Sequence, residues 1–192
     1  MNYVKYKDTK LYPTKIICAA LNYVDHAKEL ELHIAQDPVI FIKPNSAISE
    51  TLESQNYNGY HYEAELAFLI INSNIHSVGF GLDITKRDLQ NNLIINSQPW
   101  ERSKAFDKSA VFTDFVNFNG HINNLSFKLM INGKLVQSST ACSMIHSPNE
   151  LLEFVMKEIS LFDGDILMTG TPSGIGNFST GDRFTCQIFE ED

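Results

Sequence analysis

Apolar positions along the chain fall mostly into short runs instead of long amphipathic stripes. Lys15 to Ala20, Pro38 to Ile42, Ala64 to Ile71, Phe127 to Ile131 and Arg183 to Phe189 are rich in β-branched or aromatic residues and are bounded by polar or turn-forming ones, a pattern that predicts strands. Helical spacing is clearest over Asn22 to His33 and over Pro148 to Ile159. In the second, Ser147 stands as the cap, Pro148 fills the first turn, and Leu151, Leu152, Val155 and Met156 share one face. A shorter helix is expected from Lys86 to Asn92, opened by Asp83 or Thr85. Asn132-Gly133, between Phe127 to Ile131 and Lys134 to Gln137, is the two-residue signature of a hairpin closed by a type I′ turn.

The chain has 192 residues, enough for one substantial core, and no Ser-, Gly- or Pro-rich linker interrupts it. A single catalytic domain over residues 1–192 is therefore expected. Lys and Arg total 15 against 23 Asp and Glu, a formal charge of −8. No basic stripe is present to follow a phosphate backbone, so nucleic acid is not an expected partner. No stretch approaches the roughly 20 apolar residues that cross a bilayer, and residues 1–15 lack the apolar segment of a secretion signal. A cytoplasmic protein without membrane association is the expectation. Cys18, Cys142 and Cys186 are odd in number and far apart, which fits neither a disulfide framework nor a zinc motif and predicts buried, thiol-bearing apolar residues.

The candidate chemistry lies in His61-Tyr62-Glu63-Ala64-Glu65, at the mouth of an apolar run. Two carboxylates two residues apart on a strand point to the same side. Like charges beside a core resist desolvation and need water or a cation between them. Asp83 follows about twenty residues later, after a short apolar and glycine stretch. Three carboxylates, with only His61 and His76 nearby in sequence, favour Mg²⁺ or Mn²⁺ over zinc. The pattern alone leaves open that Glu63 and Glu65 are simply the solvated end of an edge strand.

Six segments in one consistent order carry a resemblance. They are Asn22 to Glu29, Phe41-Ile42-Lys43-Pro44, His61 to Leu66, Asp83 to Gln90, Ser103 to Asp107, and Gly164-Asp165 followed by Thr169 to Gly176. Together, over about Lys15 to Phe189, the chain resembles the fumarylacetoacetate hydrolase family, in particular its short acylpyruvate hydrolase branch. The resemblance implies a β-rich α+β fold, a mixed β-sheet roll of the family's C-terminal domain type. It also implies a homodimer, and Mg²⁺ or Mn²⁺ bound by Glu63, Glu65 and Asp83.

His26 and Glu29 are three apart and share a face on a helix, so Glu29 can orient the imidazole. The resemblance implies that this pair activates water, and that Lys104 is catalytic. Arg87, Gln90 and Thr171 match positions that contact substrate, with Lys43 as a further cation. Thr169 to Gly176 holds three glycines whose amides can cradle an oxyanion; it is neither a Walker loop nor a GxGxxG fingerprint.

The implied reaction is hydrolysis of a carbon–carbon bond in an acylpyruvate or fumarylacetoacetate-like 2-oxo acid. Water deprotonated by His26 attacks the distal carbonyl, and Lys104 together with the metal steadies the pyruvate enolate. Alternatives are oxaloacetate decarboxylation or tautomerisation, isomerisation or hydration of related dioates, and metal binding without catalysis. Two departures matter. Ala20-Leu21 stands where relatives usually carry glycine and often arginine, leaving no cation near the entrance. The chain also stops at Asp192, short of the family's usual last strand, so an exposed edge or one covered by a partner is expected. No nucleophile elbow surrounds Ser173, and His121 and His146 have no evident partner role.

Overall fold

A computed structural model describes residues 1–53 and 59–190. Two short strands, β1 (Val4–Tyr6) and β2 (Thr9–Leu11), precede β3 (Lys15–Ala20), helix α1 (Val24–Glu29), β4 (Val39–Pro44) and β5 (Ile48–Ser49). Next come β6 (Tyr60–Tyr62), β7 (Ala64–Ile71), β8 (Asn74–Asp83), β9 (Thr85–Lys86), α2 (Arg87–Ile95) and β10 (Ala110–Phe112). The last third holds β11 (Leu125–Ile131), β12 (Lys134–Thr140), α3 (Pro148–Glu158), β13 (Ile166–Met168), β14 (Gly176–Asn177) and β15 (Phe184–Glu190).

Among the described residues the main sheet has seven strands in the order β4-β3-β13-β7-β8-β10-β5. It is mixed: β3 with β13 and β5 with β10 run parallel, and the other neighbours antiparallel. Sheets β12-β11-β15 and β14-β6-β9 complete the curled β-rich α+β roll. Along β7, Leu66, Phe68 and Ile70 join one apolar cluster with Phe80, Phe127 and Leu151, while Ala67 and Leu69 join another with Ile16, Phe115 and Met168. Both faces of this strand are covered, which is why its sequence is an unbroken apolar run instead of an alternating one. Each fully buried Leu, Ile or Phe contributes roughly 1.5–3 kcal/mol.

β7 and β8 form a hairpin whose two turn residues, Asn72 and Ser73, have φ of 51° and 58°. Both lie in the left-handed region that a type I′ turn requires. β8 is poorly marked in sequence because Gly79 and Gly81 dilute its apolar pattern. A Cβ on Gly79 would stand 3.1 Å from the Phe115 ring, and one on Gly81 would stand 2.9 Å from Met168 Cε, so on this side of the strand the two positions carry no side chain.

The expected helix over Asn22 to His33 is shorter, ending at Glu29. Glu31 adopts φ 54° and donates to the Lys28 carbonyl, while Leu32 donates to Ala27. This is a Schellman closure made without glycine, and so without its usual sequence mark. α2 ends in the same way through Ser97, and its last residue, Ile95, lies three beyond the expected Asn92. Lys86 precedes it with no side-chain cap; Asp83 and Thr85, expected as caps, are bonded to Lys104 instead. α3 has the expected Ser147 cap, and Glu150 extends it to a capping box, with Ser147 Oγ accepting from the Glu150 amide and the Glu150 carboxylate from the Ser147 amide. The Asn132-Gly133 hairpin forms, with φ of 52° and 79°. Of the cysteines, Cys18 is buried as expected, but Cys186 is half-buried and Cys142 is exposed.

Candidate active site

The hairpin register assembles the acidic cluster. Glu63 lies just before β7, Glu65 within it, and Asp83 closes β8; the Asp83 N–H donates to the Glu63 carbonyl at 2.8 Å. Glu63, Glu65 and Asp83 are all buried, and each offers a carboxylate oxygen within 4.8 Å of the other two. Asp83 is therefore not remote from the pair, and the solvated-edge reading does not hold.

Cations surround two of the three acids. Lys104 Nζ donates to Glu63 Oε2 and Asp83 Oδ2 at 2.7 Å each and to Thr85 Oγ1 at 2.6 Å. Arg87 pairs with Glu63 Oε1. Burial alone would raise the Glu63 carboxyl, but Lys104, Arg87 and His26 outweigh it and hold the group below the ordinary carboxylate range. Burial works to neutralise Lys104, yet Asp83 and Glu63 carry its pKa above the usual lysine value.

Glu65 has no ion-pair partner among the described residues; its Oε2 accepts only from the Gly170 amide, at 2.7 Å. Burial, then Asp83 and Glu63, push its carboxyl well above the usual range. A buried acid that lacks a cation, beside two hard oxygen donors, matches the donor set of a small divalent ion. Asp83 Oδ1 points the same way, because it lies 2.7 Å from Lys43 Nζ but accepts no hydrogen bond. The trio fits Mg²⁺ or Mn²⁺.

A cavity of about 140 Å³ opens beside the cluster. His26, Glu63, Arg87, Gln90, Lys104 and Thr171 line its polar side. Buried His26 places Nδ1 3.2 Å from Glu29 Oε2, and the other Glu29 oxygen accepts from the Gly174 amide at 3.0 Å. The one-turn helix thus hands its imidazole to a carboxylate that is itself fixed by the glycine loop. Arg87 also bonds Gln90 Oε1, which leaves its buried Nε–H without a partner. An unmet buried donor on a cavity wall is a place for a ligand oxygen.

Lys43 is placed differently from its expected substrate contact. It is fully buried, absent from the cavity lining, and bonded to the Lys104 carbonyl, the Ser109 carbonyl and Ser109 Oγ as well as paired with Asp83. It holds Asp83 and the Lys104 backbone from behind.

Supporting residues without an assigned role in the sequence reading complete the site. Asn22 Nδ2 donates to the carbonyls of His146 and Thr169, and its Oδ1 accepts from the His146 amide, which ties the start of α1 to the glycine loop. Gly170 follows with φ 89°, where a Cβ would stand 2.9 Å from the Asn22 Cβ. Gln137 donates to Thr171 Oγ1 and the Pro172 carbonyl and so fixes Thr171. Thr85 was findable, being two residues from Asp83 and hence on the same side of an extended chain; Gln137, on the distant β12, left no local signal.

A family model described as fumarylacetoacetate (FAA) hydrolase C-terminal matches residues 15–191. The chain is 34% identical to the oxaloacetate tautomerase YcgM of Escherichia coli over 193 residues, covering 91% of this chain and 88% of that protein. It is 29% identical to a mitochondrial oxaloacetate tautomerase of Saccharomyces cerevisiae, covering 92% and 87% of the two. Among solved structures, the Pseudomonas aeruginosa fumarylpyruvate hydrolase in complex with Mn²⁺ and pyruvate superposes with a TM-score of 0.88 at 28% identity, covering 97% of this chain and 91% of that one. The order of the sheet, the buried acidic trio and these matches agree: the chain belongs to the fumarylacetoacetate hydrolase family.

Proposed function

We propose that the protein is a divalent-metal enzyme for small 2-oxo acids, and that it hydrolyses an acylpyruvate to pyruvate and a carboxylic acid. The observation that carries this reading is the His26–Glu29 pair, whose imidazole lines the same cavity as Glu63, Arg87 and Lys104, beside the acids able to hold an ion. A bound Mg²⁺ or Mn²⁺ would supply electrophilic pull on the 2-oxo carbonyl. The Mn²⁺ and pyruvate in the Pseudomonas enzyme support both the type of ion and the product.

Glu29 accepts the Nδ1–H of His26, which assigns the tautomer and leaves Nε2 as the base. His26 takes a proton from water as the water oxygen bonds to the distal carbonyl carbon. The bond between that carbon and C3 then breaks, and its electron pair stays on C3 as the enolate of pyruvate. Return of the proton to C3 completes pyruvate. Lys104, kept charged by Glu63 and Asp83 and with its three N–H bonded to Glu63, Asp83 and Thr85, contributes positive charge beside the oxygen on which charge grows, and the free Arg87 Nε–H offers a donor to the substrate carboxylate.

Purified protein incubated with acetylpyruvate and Mn²⁺ should release pyruvate and acetate in equal amounts, and chelation should stop it. Absence of both products in the presence of metal overturns the hydrolytic reading.

A second reading, oxaloacetate tautomerisation, is favoured by the 34% identity to the Escherichia coli enzyme. It uses the same residues, with His26 moving a proton between C3 and solvent and no water attacking carbon. Enol-to-keto conversion of oxaloacetate faster than pyruvate release from any acylpyruvate would select it.

A further inference from the structure

The cavity has a second character beyond its polar side. Leu21, Leu30, Leu32, Val39, Ile94 and Trp100 also line it. They arrive from four places: the end of β3, the closure of α1, the start of β4 and the last turn of α2 with the segment after it. Phe41 joins the two halves, with its ring 5.0 Å from that of Trp100 and 5.5 Å from Lys104 Nζ. Leu32 and Ile94 are 40% and 41% exposed, a large apolar exposure at the rim of a cavity whose floor is ionic.

The cations of the lining are already committed. Lys104 spends its bonds on Glu63, Asp83 and Thr85, and Arg87 is paired with Glu63 and Gln90, with its Nε unpartnered beside the acids. The segment that carries Leu30 and Leu32 adds Glu31 and Asp37, both exposed, with His33 between them. A ligand tail that leaves the polar side therefore meets hydrocarbon. A carboxylate there would be stripped of water with no cation to meet it.

From this two-sided lining we infer that the site selects 2-oxo acids whose distal end is an uncharged alkyl or aryl group and discriminates against dicarboxylates, with Leu21, Val39 and Ile94 as specificity determinants. The inference rests on the 2-oxo acid reading above and names the substrate class within it; because oxaloacetate is a dicarboxylate, it also counts against the tautomerase reading. Leu21 is the most informative position: it sits in the turn after β3 with φ 54°, is half-buried, and is held by none of the hydrogen bonds that build the acidic trio. Its side chain can be exchanged without disturbing the trio.

The test is competitive binding to the Mn²⁺-loaded protein, read by calorimetry, of two 2-oxo acids of similar length: 2-oxohexanoate, with an alkyl tail, and 2-oxoglutarate, with a distal carboxylate. The alkyl acid should bind about tenfold more tightly or better, and Leu21→Arg should narrow or reverse that ratio. Far-UV circular dichroism verifies that the variant is folded. Equal affinities, or tighter binding of 2-oxoglutarate by the wild type, overturns the inference. An unchanged ratio in folded Leu21→Arg overturns the role of Leu21. Preference for the alkyl acid without hydrolysis of any acylpyruvate sinks the hydrolytic reading alone, whereas failure of both acids to bind sinks the 2-oxo acid reading and this inference together.

Discussion

Asp83 and Glu63 meet where β7 and β8 end, joined by a 2.8 Å backbone hydrogen bond and bridged by Lys104 Nζ at 2.7 Å from a carboxylate oxygen of each. Each negative side chain has its own cation, whereas Glu65, which completes the trio, has none among the described residues. The acids should accordingly respond differently to mutation.

Glu65→Gln removes a like charge that no cation balances, so the metal-free variant should be as stable as the wild type or more so. Mn²⁺ affinity should fall on the order of 10–100-fold or more. Thermal melts without metal and calorimetric titration with Mn²⁺ check the two halves. A large loss of metal-free stability would show that Glu65 already has a structural partner.

Asp83→Ala should behave in the opposite way. It strands the buried ammonium of Lys43 and takes one of two carboxylates from Lys104, which keeps Glu63, and breaking a buried pair typically costs about 3–5 kcal/mol. Urea unfolding of the metal-free protein measures this. A cost below that of an ordinary surface substitution would contradict the pairing described above.

His26→Ala should reduce kcat by roughly 10²–10⁴-fold while leaving Mn²⁺ binding nearly unchanged, because the imidazole is not one of the three ion-holding acids. Glu29→Gln should lower kcat less, since the single amide oxygen can still accept from His26, although its NH2 then faces the Gly174 N–H. Steady-state kinetics at saturating Mn²⁺, with parallel metal titrations, separate these effects. Equal losses in metal affinity and kcat would place His26 in the ion's own shell.

Asp165 predicts the pH dependence of stability. Burial alone would raise its carboxyl, but bonds from Lys15 Nζ, the Phe162 amide, Thr14 Oγ1 and the Lys15 amide outweigh that and lower it. The folded value thus lies below the unfolded one of roughly 3.9. Its contribution is fully present above that value and is lost as pH falls from there through the folded value. Asp165→Asn should cost about 1–3 kcal/mol at neutral pH and flatten the acid limb of the stability curve below pH about 4. Denaturation midpoints measured from pH 7 downward test both.

Much of this fold was legible because local and global signals agreed. The runs at Lys15–Ala20 and Ala64–Ile71 have the bounds their composition announces, and the Ser147 capping box and the Asn132-Gly133 turn are local devices whose chemistry is complete within a few residues. The failures share a cause. β8 carries glycines that its packing needs and is entered through Asn72-Ser73, a left-handed turn without glycine. The helices α1 and α2 stop or continue through Glu31 and Ser97 in that same conformation. Conformations that are cheap for glycine were here imposed on other residues by tertiary contacts, and no side-chain type marks them. The spacing of Glu63 and Glu65 exposed one side of the acidic trio, and Asp83 was grouped with them as a third carboxylate, but what brings it alongside them is the pairing of β7 with β8, a strand the pattern did not mark. Lys43, expected as a further cation for the substrate, has its ammonium fully buried against Ser109 and Asp83, a placement that nothing in its local sequence marks.

The tip formed by Asn72 and Ser73 lies a whole strand length from the acids, at the solvent-facing end of the hairpin. Side chains on a strand alternate between its two sides, so one extra residue at that tip would slide the second strand by a single step and turn Asp83 away from Glu63. A solvent-exposed loop of two residues therefore acts as a ruler for ion binding, and changes in its length should be tolerated far less well than changes in its side chains.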